Sequence, residues 1–135
     1  MASDRIWRDR DTKVVILDSS AILMIFEFSI DLEDELRRLV AKYRIIIPKS
    51  IFKELELLSN KMDGKKKINA KASLKFIEKY DVEDSNDLDG DSSVLFLAKK
   101  HNGIVVTNDR ELRKRTKDEK LNIIYLRGKG KLVLE

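Results

Sequence analysis

The chain has 135 residues, the length of one ordinary domain, and its 42% hydrophobic content is enough to build a core. Its net charge of +4 permits a nucleic-acid partner without requiring one, and the absence of cysteine excludes disulfides and zinc–thiolate sites. Residues 1–12 do not resemble a secretory signal, and the longest apolar stretch, residues 21–26, is too short to span a bilayer. We therefore expect a cytoplasmic protein with no membrane association.

The N-terminal half begins with a predicted strand at residues 14–17, whose continuous apolar run indicates burial on both faces. Apolar positions at helical spacing predict a helix over residues 32–43, and residues 45–47 predict a second strand. Pro48, which suits the first turn of a helix, begins a helix that extends to about residue 60. The basic segment 61–67 is predicted to be an exposed loop between two helices.

The C-terminal half continues the alternation of helices and strands. This alternation is typical of an α/β fold, and we predict a three-layer α/β/α sandwich with a mainly parallel central sheet, forming one domain over residues 1–135. Gly103 is a suitable residue to end the helix before the second strongly apolar strand. The predicted elements of this half are a helix at residues 68–79, a short edge strand at 80–83, a helix at 89–102, a strand at 104–107, a helix at 109–115 and a strand at 123–126.

Three aspartates fall where predicted strands end or where the connecting helices begin. Asp18 ends the first strand, and Asp109 follows Thr107 by two residues at the end of another buried strand. In an open α/β sheet, ligands bind beyond the carboxyl ends of the strands, where the strand order reverses. If these two strands are neighbours, both carboxylates lie at the same edge. Asp91 begins the helix that leads into the strand at 104–107, and the pattern leaves open which end of the sheet it reaches.

A fourth acid, Glu54, lies beside the buried face of its predicted helix. Ile51, Leu55 and Leu58 form an apolar stripe at positions i, i+4 and i+7. At 3.6 residues per turn, Glu54 lies about 60° from Ile51, whereas Glu56 lies about 140° away on the solvent side. This position suits a site residue, so we predict that Glu54 joins the acid group.

A group of carboxylates suits a divalent cation. Neighbouring carboxylates repel one another, and each raises the proton affinity of the others unless a cation neutralises them. Hard oxygen ligands without histidine or cysteine favour Mg²⁺ or Mn²⁺ over zinc. Such ions activate water and stabilise the transition state of phosphoryl transfer. The residue types are therefore consistent with metal-dependent hydrolysis of phosphodiesters.

Each acid also has a purely structural explanation. Asp18 and Asp91 suit helix caps or first helical turns, Glu54 suits a helix surface, and residues 108–111 resemble a capping box with Asn108 as the N-cap. For each acid taken singly the structural explanation is the stronger one, because short motifs are loose. The order and spacing of all four together favour a site.

Other polar groups indicate weaker sites. His101, the only histidine, lies at a helix end where a cation suits the dipole, and no histidine is placed to activate a serine nucleophile. Residues 127–131 lack the spacing of a P-loop. Two basic runs can serve as contacts to a phosphate backbone or merely form a solvated face, and these are Lys65, Lys66 and Lys67 and then Arg113, Lys114 and Arg115.

Four segments, in this order, resemble the PIN-domain nuclease family. Each motif alone is loose, whereas the ordered set is fairly specific and lies in a region that extends from about residue 14 to residue 126. The segments are residues 15–22 (VILDSSAI), 51–55 (IFKEL), 91–94 (DSSV) and 105–112 (VVTNDREL).

The resemblance implies an endoribonuclease that acts with Mg²⁺ or Mn²⁺ and leaves 5′-phosphate and 3′-hydroxyl ends. By position, the acidic quartet of the family corresponds to Asp18, Glu54, Asp91 and Asp109, of which Asp18, Asp91 and Asp109 are the expected metal ligands. The supporting polar residues are Ser20 and Thr107, with Asp89 as an extra carboxylate, and the expected contacts to RNA are Lys65, Lys66, Lys67 and Arg113.

Two subgroups of the family imply two biological roles. Segments 54–58 and 125–131 resemble archaeal and eukaryotic PIN proteins of ribosomal RNA processing, so our first expectation is that role, with ribosome-assembly partners. VapC-type toxins, usually encoded with an antitoxin, are the second. A homodimer is expected from the family under either role.

Two other functions compete with the nuclease. A non-catalytic PIN-like scaffold that binds RNA or protein is disfavoured by the intact acid set. A phospho-acceptor receiver domain is disfavoured because no lysine follows Asp109 until Lys114.

Overall fold

Six strands form one sheet in the computed structural model, which describes residues 11–61 and 63–135. Within these residues the strand order is β3-β2-β1-β4-β5-β6, and β6 is antiparallel to β5 while the other pairs are parallel. The predicted α/β class with a mainly parallel sheet is therefore confirmed. The strands are β1 (Lys13–Leu17), β2 (Tyr43–Pro48), β3 (Asp81–Glu83), β4 (Ile104–Val106), β5 (Ile123–Arg127) and β6 (Lys131–Leu134).

The central strands are buried on both faces. Ile16 of β1 lies in register with Ile46 of β2 and Val105 of β4, and all three side chains are completely buried. Such continuous burial requires helices on both sides of the sheet, which explains the unbroken apolar runs in the sequence. Each fully buried branched side chain contributes roughly 1.5–3 kcal/mol to stability.

Six helices connect the strands in the described residues. The first, which covers a run of almost uniformly apolar residues, was not predicted because such a run has no helical periodicity. The helices are α1 (Ser19–Glu27), α2 (Leu32–Val40), α3 (Lys49–Lys61), α4 (Gly64–Ile77), α5 (Gly90–His101) and α6 (Arg110–Asp118). None of these helices is long and apolar enough to cross a membrane. The expectation about a secretory signal falls mostly on residues outside the described part.

Two predictions about the N-terminal half were wrong. The helix predicted over residues 32–43 ends at Val40, because Ala41 has a positive φ of 61° and Tyr43 already pairs with Lys13 in the sheet. The loop predicted over 61–67 is instead mostly helical, since α4 begins at Gly64. Gly64 itself has a φ of 63°, which lets the chain reverse direction in a tight turn.

The end of α5 also differs from the prediction in detail. Asn102, not Gly103, adopts the left-handed conformation that ends the helix, with φ 48° and ψ 47°. Gly103 donates its N–H to the Ala98 carbonyl at 2.8 Å and packs directly against β1. A Cβ at this position would lie 2.9 Å from the carbonyl oxygen of Val14, so glycine is required by close backbone approach.

The sheet order places a topological switch beside β1. The chain runs from β1 through β2 to β3 on one side and then crosses to β4 on the other side of β1. The carboxyl ends of β1 and β4 are therefore neighbours, with Leu17 in register with Val106. Ligand sites of open α/β sheets form at such a reversal.

Candidate active site

Asp18 follows β1 directly and is the N-cap of α1. Its side chain is only 5% exposed, and its carboxylate accepts hydrogen bonds from the Ala21 N–H at 2.8 Å, from the Ser20 hydroxyl at 2.8 Å and from the Thr107 hydroxyl. Burial nevertheless raises the pKa of Asp18 to about 6, because desolvation of the charge outweighs these donors. A buried carboxyl with a perturbed pKa at a sheet switch point is a candidate functional group.

A hydrogen-bond network joins the end of β1 to the end of β4. The Thr107 hydroxyl, which donates to Asp18, accepts from the Asp109 N–H at 3.0 Å. The Ser20 hydroxyl, which also donates to Asp18, accepts from the Asn108 N–H at 3.0 Å. The two predicted supporting hydroxyls therefore hold the Asp18 carboxylate and fix the backbone that leads into α6.

Asp109 is the N-cap of α6, where the sequence pattern predicted Asn108. The Asp109 carboxylate accepts from the N–H groups of Glu111 and Leu112 at 2.8 and 3.0 Å. The Asn108 side chain lies elsewhere, with its Oδ1 accepting from the Leu126 N–H of β5 at 3.0 Å. The capping prediction was wrong because it took no account of β5, whose backbone N–H binds Asn108.

Asp91 lies in the first turn of α5 and is partly exposed. Burial, and then the charge of Asp109, raise the pKa of Asp91, while the guanidinium of Arg115 at 3.8 Å opposes the rise. The charge of Asp91 in turn contributes to the raised pKa of Asp18. The question left open by the sequence is thereby answered: Asp91 lies at the same edge of the sheet as Asp18 and Asp109, within electrostatic range of both.

Glu54 and Asp89 lie to one side of these three acids. Both are exposed and line a surface groove of about 420 Å³ that includes Lys53 and Gly90. Within the described residues, Glu54 forms no ion pair or hydrogen bond through its carboxylate. The structure therefore brings Glu54 close to the start of α5, where Asp91 follows Gly90. Glu54 does not join the hydrogen-bond network around Asp18.

Comparison with known proteins places the chain in a family. A family profile described as PIN like domain matches residues 15–129. The chain belongs to the PIN-like domain family. It is 28% identical to Ribonuclease VapC9 of Archaeoglobus fulgidus over 135 residues, which cover 100% of this chain and 98% of that protein. It is 30% identical to Ribonuclease VapC4 of Methanocaldococcus jannaschii over 119 residues, which cover 85% and 91%.

Solved structures with the same fold agree with this membership. The PIN domain endonuclease Utp24 is similar with a TM-score of 0.75 and 21% identity, covering 90% of each chain. A VapBC2 complex from Rickettsia felis, bound to a DNA fragment from its promoter, contains a chain that is similar with a TM-score of 0.63 and 18% identity, covering 84% and 99%. The resemblance inferred from the four sequence motifs is therefore confirmed.

The acids of this PIN-like domain fit a divalent cation in chemistry and in charge. In residues 11–61 and 63–135, no three acidic or histidine side chains lie close enough together to hold one ion in their present conformations. Asp18, Asp91 and Asp109 nevertheless offer only hard oxygen donors, which suit Mg²⁺ or Mn²⁺. A cation near Asp18 and Asp91 would offset the burial and repulsion that raise both pKa values.

The predicted RNA contacts divide between two places on the PIN-like domain. Arg113 lies on α6, whose N-cap is the acid Asp109. Lys65, Lys66 and Lys67 lie on α4. Lys66 lines a cavity together with Glu27, the last residue of α1, which lies about 13 Å from Asp18 along the axis of that helix. The contact between Arg115 and Asp91 was not predicted, because it depends on how α6 packs against α5 and no local pattern encodes that.

Proposed function

We propose that this PIN-like domain is a metal-dependent endoribonuclease that hydrolyses RNA phosphodiester bonds. The observation that carries the proposal is the buried carboxylate of Asp18, which has a raised pKa and lies at the switch point of the sheet within electrostatic range of Asp91. Such a carboxylate is costly to the folded state, and a catalytic cation explains why the cost is tolerated. The names of the two relatives, both ribonucleases, support RNA as the substrate.

Three acids are the proposed holders of the ion, which is Mg²⁺ or Mn²⁺. Asp18, Asp91 and Asp109 supply the donor oxygens, and Glu54 and Asp89 add negative charge from the adjoining groove. A bound divalent ion supplies charge neutralisation at the phosphate and a water molecule of lowered pKa. The chemistry requires no nucleophilic side chain, which agrees with the absence of any histidine among these residues.

The chain's own residues hold these acids in place. Ser20 and Thr107 each donate to the Asp18 carboxylate, so its orientation is set before any ligand binds. Asp109 is oriented by two N–H groups of α6 that donate to its carboxylate. Rotation of the carboxylate would break these hydrogen bonds and the helix cap with them. Arg115, 3.8 Å from Asp91, stabilises the ionised form of that carboxyl and carries a charge suited to a phosphate oxygen.

The first biological role that we propose is ribosomal RNA processing, and its basis is the resemblance of segments 54–58 and 125–131 to PIN proteins with that role. A second candidate, a VapC-type toxin, is favoured by the full-length similarity to Ribonuclease VapC9. An antitoxin partner belongs to the second role and a ribosome-assembly partner to the first. Specific cleavage of one precursor ribosomal RNA, compared with growth arrest on expression, separates the two roles.

The nuclease is tested by cleavage of a structured RNA with Mn²⁺ or Mg²⁺, with and without EDTA. We expect the wild-type chain to cleave, EDTA to abolish cleavage, and Asp91→Asn to reduce the rate by about 100-fold or more, since one ligand and its charge are lost. Asp63→Asn is the matched control, because Asp63 is exposed and caps α4 without a side-chain hydrogen bond.

The outcomes separate the nuclease from its alternatives. Equal cleavage by wild type and Asp91→Asn would mean a contaminating enzyme or a different site. No cleavage by any variant, together with RNA binding that metals do not change, would favour a non-catalytic scaffold over the nuclease.

A further inference from the structure

Helix α6 carries most of the excess positive charge of the molecule. Its nine residues include five cations and two carboxylates, a net charge of +3 in a chain whose total is +4. Four of the cations share one side of the helix and border a surface cleft of about 310 Å³. These four residues, called the basic face below, are Arg110, Arg113, Lys114 and Lys117.

The basic face is a continuous stripe. At 3.6 residues per turn, its four positions fall within about 100° of the helix circumference. Leu112 and Thr116, both completely buried, lie on the opposite side and attach α6 to the rest of the molecule. No carboxylate of α6 falls inside the stripe, since Glu111 and Asp118 lie about 40–60° outside its edge. The residues that α6 itself contributes to the stripe are therefore all cations, and a carboxylate from outside the helix, that of Glu135, pairs with Lys117 at its C-terminal end.

Among the residues that the structure describes, two members of the basic face have no ion-pair partner that accounts for their presence. Arg110 lies in the first turn of α6, where the helix dipole disfavours a cation. Within the described residues, neither Arg110 nor Lys114 takes part in a salt bridge, whereas Lys117 pairs with Glu135. Both free side chains are exposed, so neither contributes to packing. Charge that does not serve the fold is available for a ligand.

Arg113 is held in a fixed position by an aromatic ring. Its guanidinium lies 3.6 Å from the centre of the Tyr125 ring of β5. A guanidinium this close to a ring centre contacts the ring through its flat face, which leaves its N–H edge available to donate hydrogen bonds. This edge is the part of arginine that binds phosphate oxygens in pairs, and its position is set before binding.

The basic face begins beside Asp109, one of the three acids proposed to hold the cation. Asp109 is the N-cap of α6, so the four cations lie between about 2 and 12 Å from it along the helix axis. We propose that the basic face binds the phosphates of the RNA strand on one side of the bond to be cleaved. The proposal rests on the proposed ribonuclease function and specifies where its substrate lies. The lysines of α4 do not share this position, because Lys66 lies by the far end of α1.

The test measures binding of a fluorescein-labelled single-stranded RNA of mixed sequence by anisotropy over a range of salt concentrations. All proteins carry Asp18→Asn, so the RNA is not consumed. The test variant is Arg110→Gln with Lys114→Gln. The control is Lys71→Gln with Lys75→Gln on α4, which removes the same charge from two exposed residues at the same i, i+4 spacing.

We expect the test variant to bind about tenfold or more weakly, and the slope of log Kd against log salt to fall by about 1.4, since each phosphate contact to a single strand contributes about 0.7. The control should keep the slope of the parent protein. Tyr125→Leu should weaken binding about 2- to 5-fold through loss of the stack, while Tyr125→Phe retains it. Thermal unfolding confirms that each variant is folded.

Equal losses in the test and control variants would overturn the proposal, because they would show a response to net charge alone. A parent protein without salt-dependent RNA binding would overturn it as well. The proposed function fails separately, through cleavage that survives Asp91→Asn. In that case, a loss of binding seen only in the test variant would still support RNA binding by the basic face. Normal binding by the test variant would refute RNA binding by the basic face without contradicting the nuclease.

Discussion

Asp18→Asn should abolish RNA cleavage and at the same time stabilise the metal-free protein at neutral pH. The folded state holds Asp18 in a buried position where its pKa is about 6, against an ordinary value of 3.8. Between these two values the folded protein binds more protons than the unfolded chain does. The free energy of unfolding therefore falls as the pH rises from about 4 to about 6 and stays lower above that window.

The magnitude follows from the size of the shift. A difference of about two pKa units corresponds to about 3 kcal/mol of stability lost at neutral pH, because each unit is about 1.4 kcal/mol. Asparagine has nearly the same shape as the protonated acid and carries no charge, so it avoids this loss. Part of the gain is offset because the amide group accepts fewer hydrogen bonds from Ser20, Thr107 and the Ala21 N–H. We expect a net gain of about 1–3 kcal/mol at neutral pH.

The assay is urea denaturation of wild type and Asp18→Asn in EDTA, at a series of pH values across the window. The two proteins should have similar stability near pH 4, where Asp18 is protonated, and should diverge as the pH rises to about 7. Asp63→Asn, which removes an exposed carboxylate, should show no such divergence. A stability difference that does not depend on pH, or an Asp18→Asn protein that is less stable at neutral pH, would refute the reasoning.

Three further predictions concern the same region. Mg²⁺ or Mn²⁺ at about 100 times its Kd should raise the free energy of unfolding of wild type by about 2.7 kcal/mol and leave Asp18→Asn unchanged, which thermal unfolding with and without EDTA measures. Thr107→Val should cost about 1–3 kcal/mol in urea denaturation and reduce cleavage, because the buried carboxylate of Asp18 loses a donor, whereas Thr107→Ser keeps both properties. Gly103→Ala should destabilise the fold by about 1–3 kcal/mol, because the new methyl group would lie 2.9 Å from the Val14 carbonyl oxygen. The rate of cleavage per folded molecule should be retained. An unchanged free energy of unfolding would mean that the backbone relaxes to relieve this contact.

The sequence by itself determined the class of the fold and the ends of its central strands. Runs of β-branched residues mark β1 and β4 because a strand buried on both faces must be apolar at every position. The acids Asp18 and Asp109 were found for the same reason, since Asp18 directly follows such a run and Asp109 comes three residues after the end of the other. These patterns are formed by residues that are adjacent in the sequence, so they can be recognised without knowing which elements pack against them.

Local pattern failed where a second element competes for the same residues. The predicted helix over residues 32–43 extends beyond the observed end at Val40. Tyr43 fits the apolar face of a helix by its spacing, but in the structure it belongs to a strand and pairs with β1. Asn108 was predicted to cap α6, but the backbone of β5 binds its side chain and Asp109 caps the helix instead. In each case the deciding hydrogen bond comes from another part of the chain.

Only the tertiary structure decided which charges act together. The adjacency of β1 and β4 brings Asp91 within range of Asp18 while Glu54 remains in a neighbouring groove. The two basic runs look alike in sequence, yet α6 starts at Asp109 while α4 lies by the far end of α1. Electrostatic interactions depend on distance through space and on burial, and neither is set by spacing along the chain.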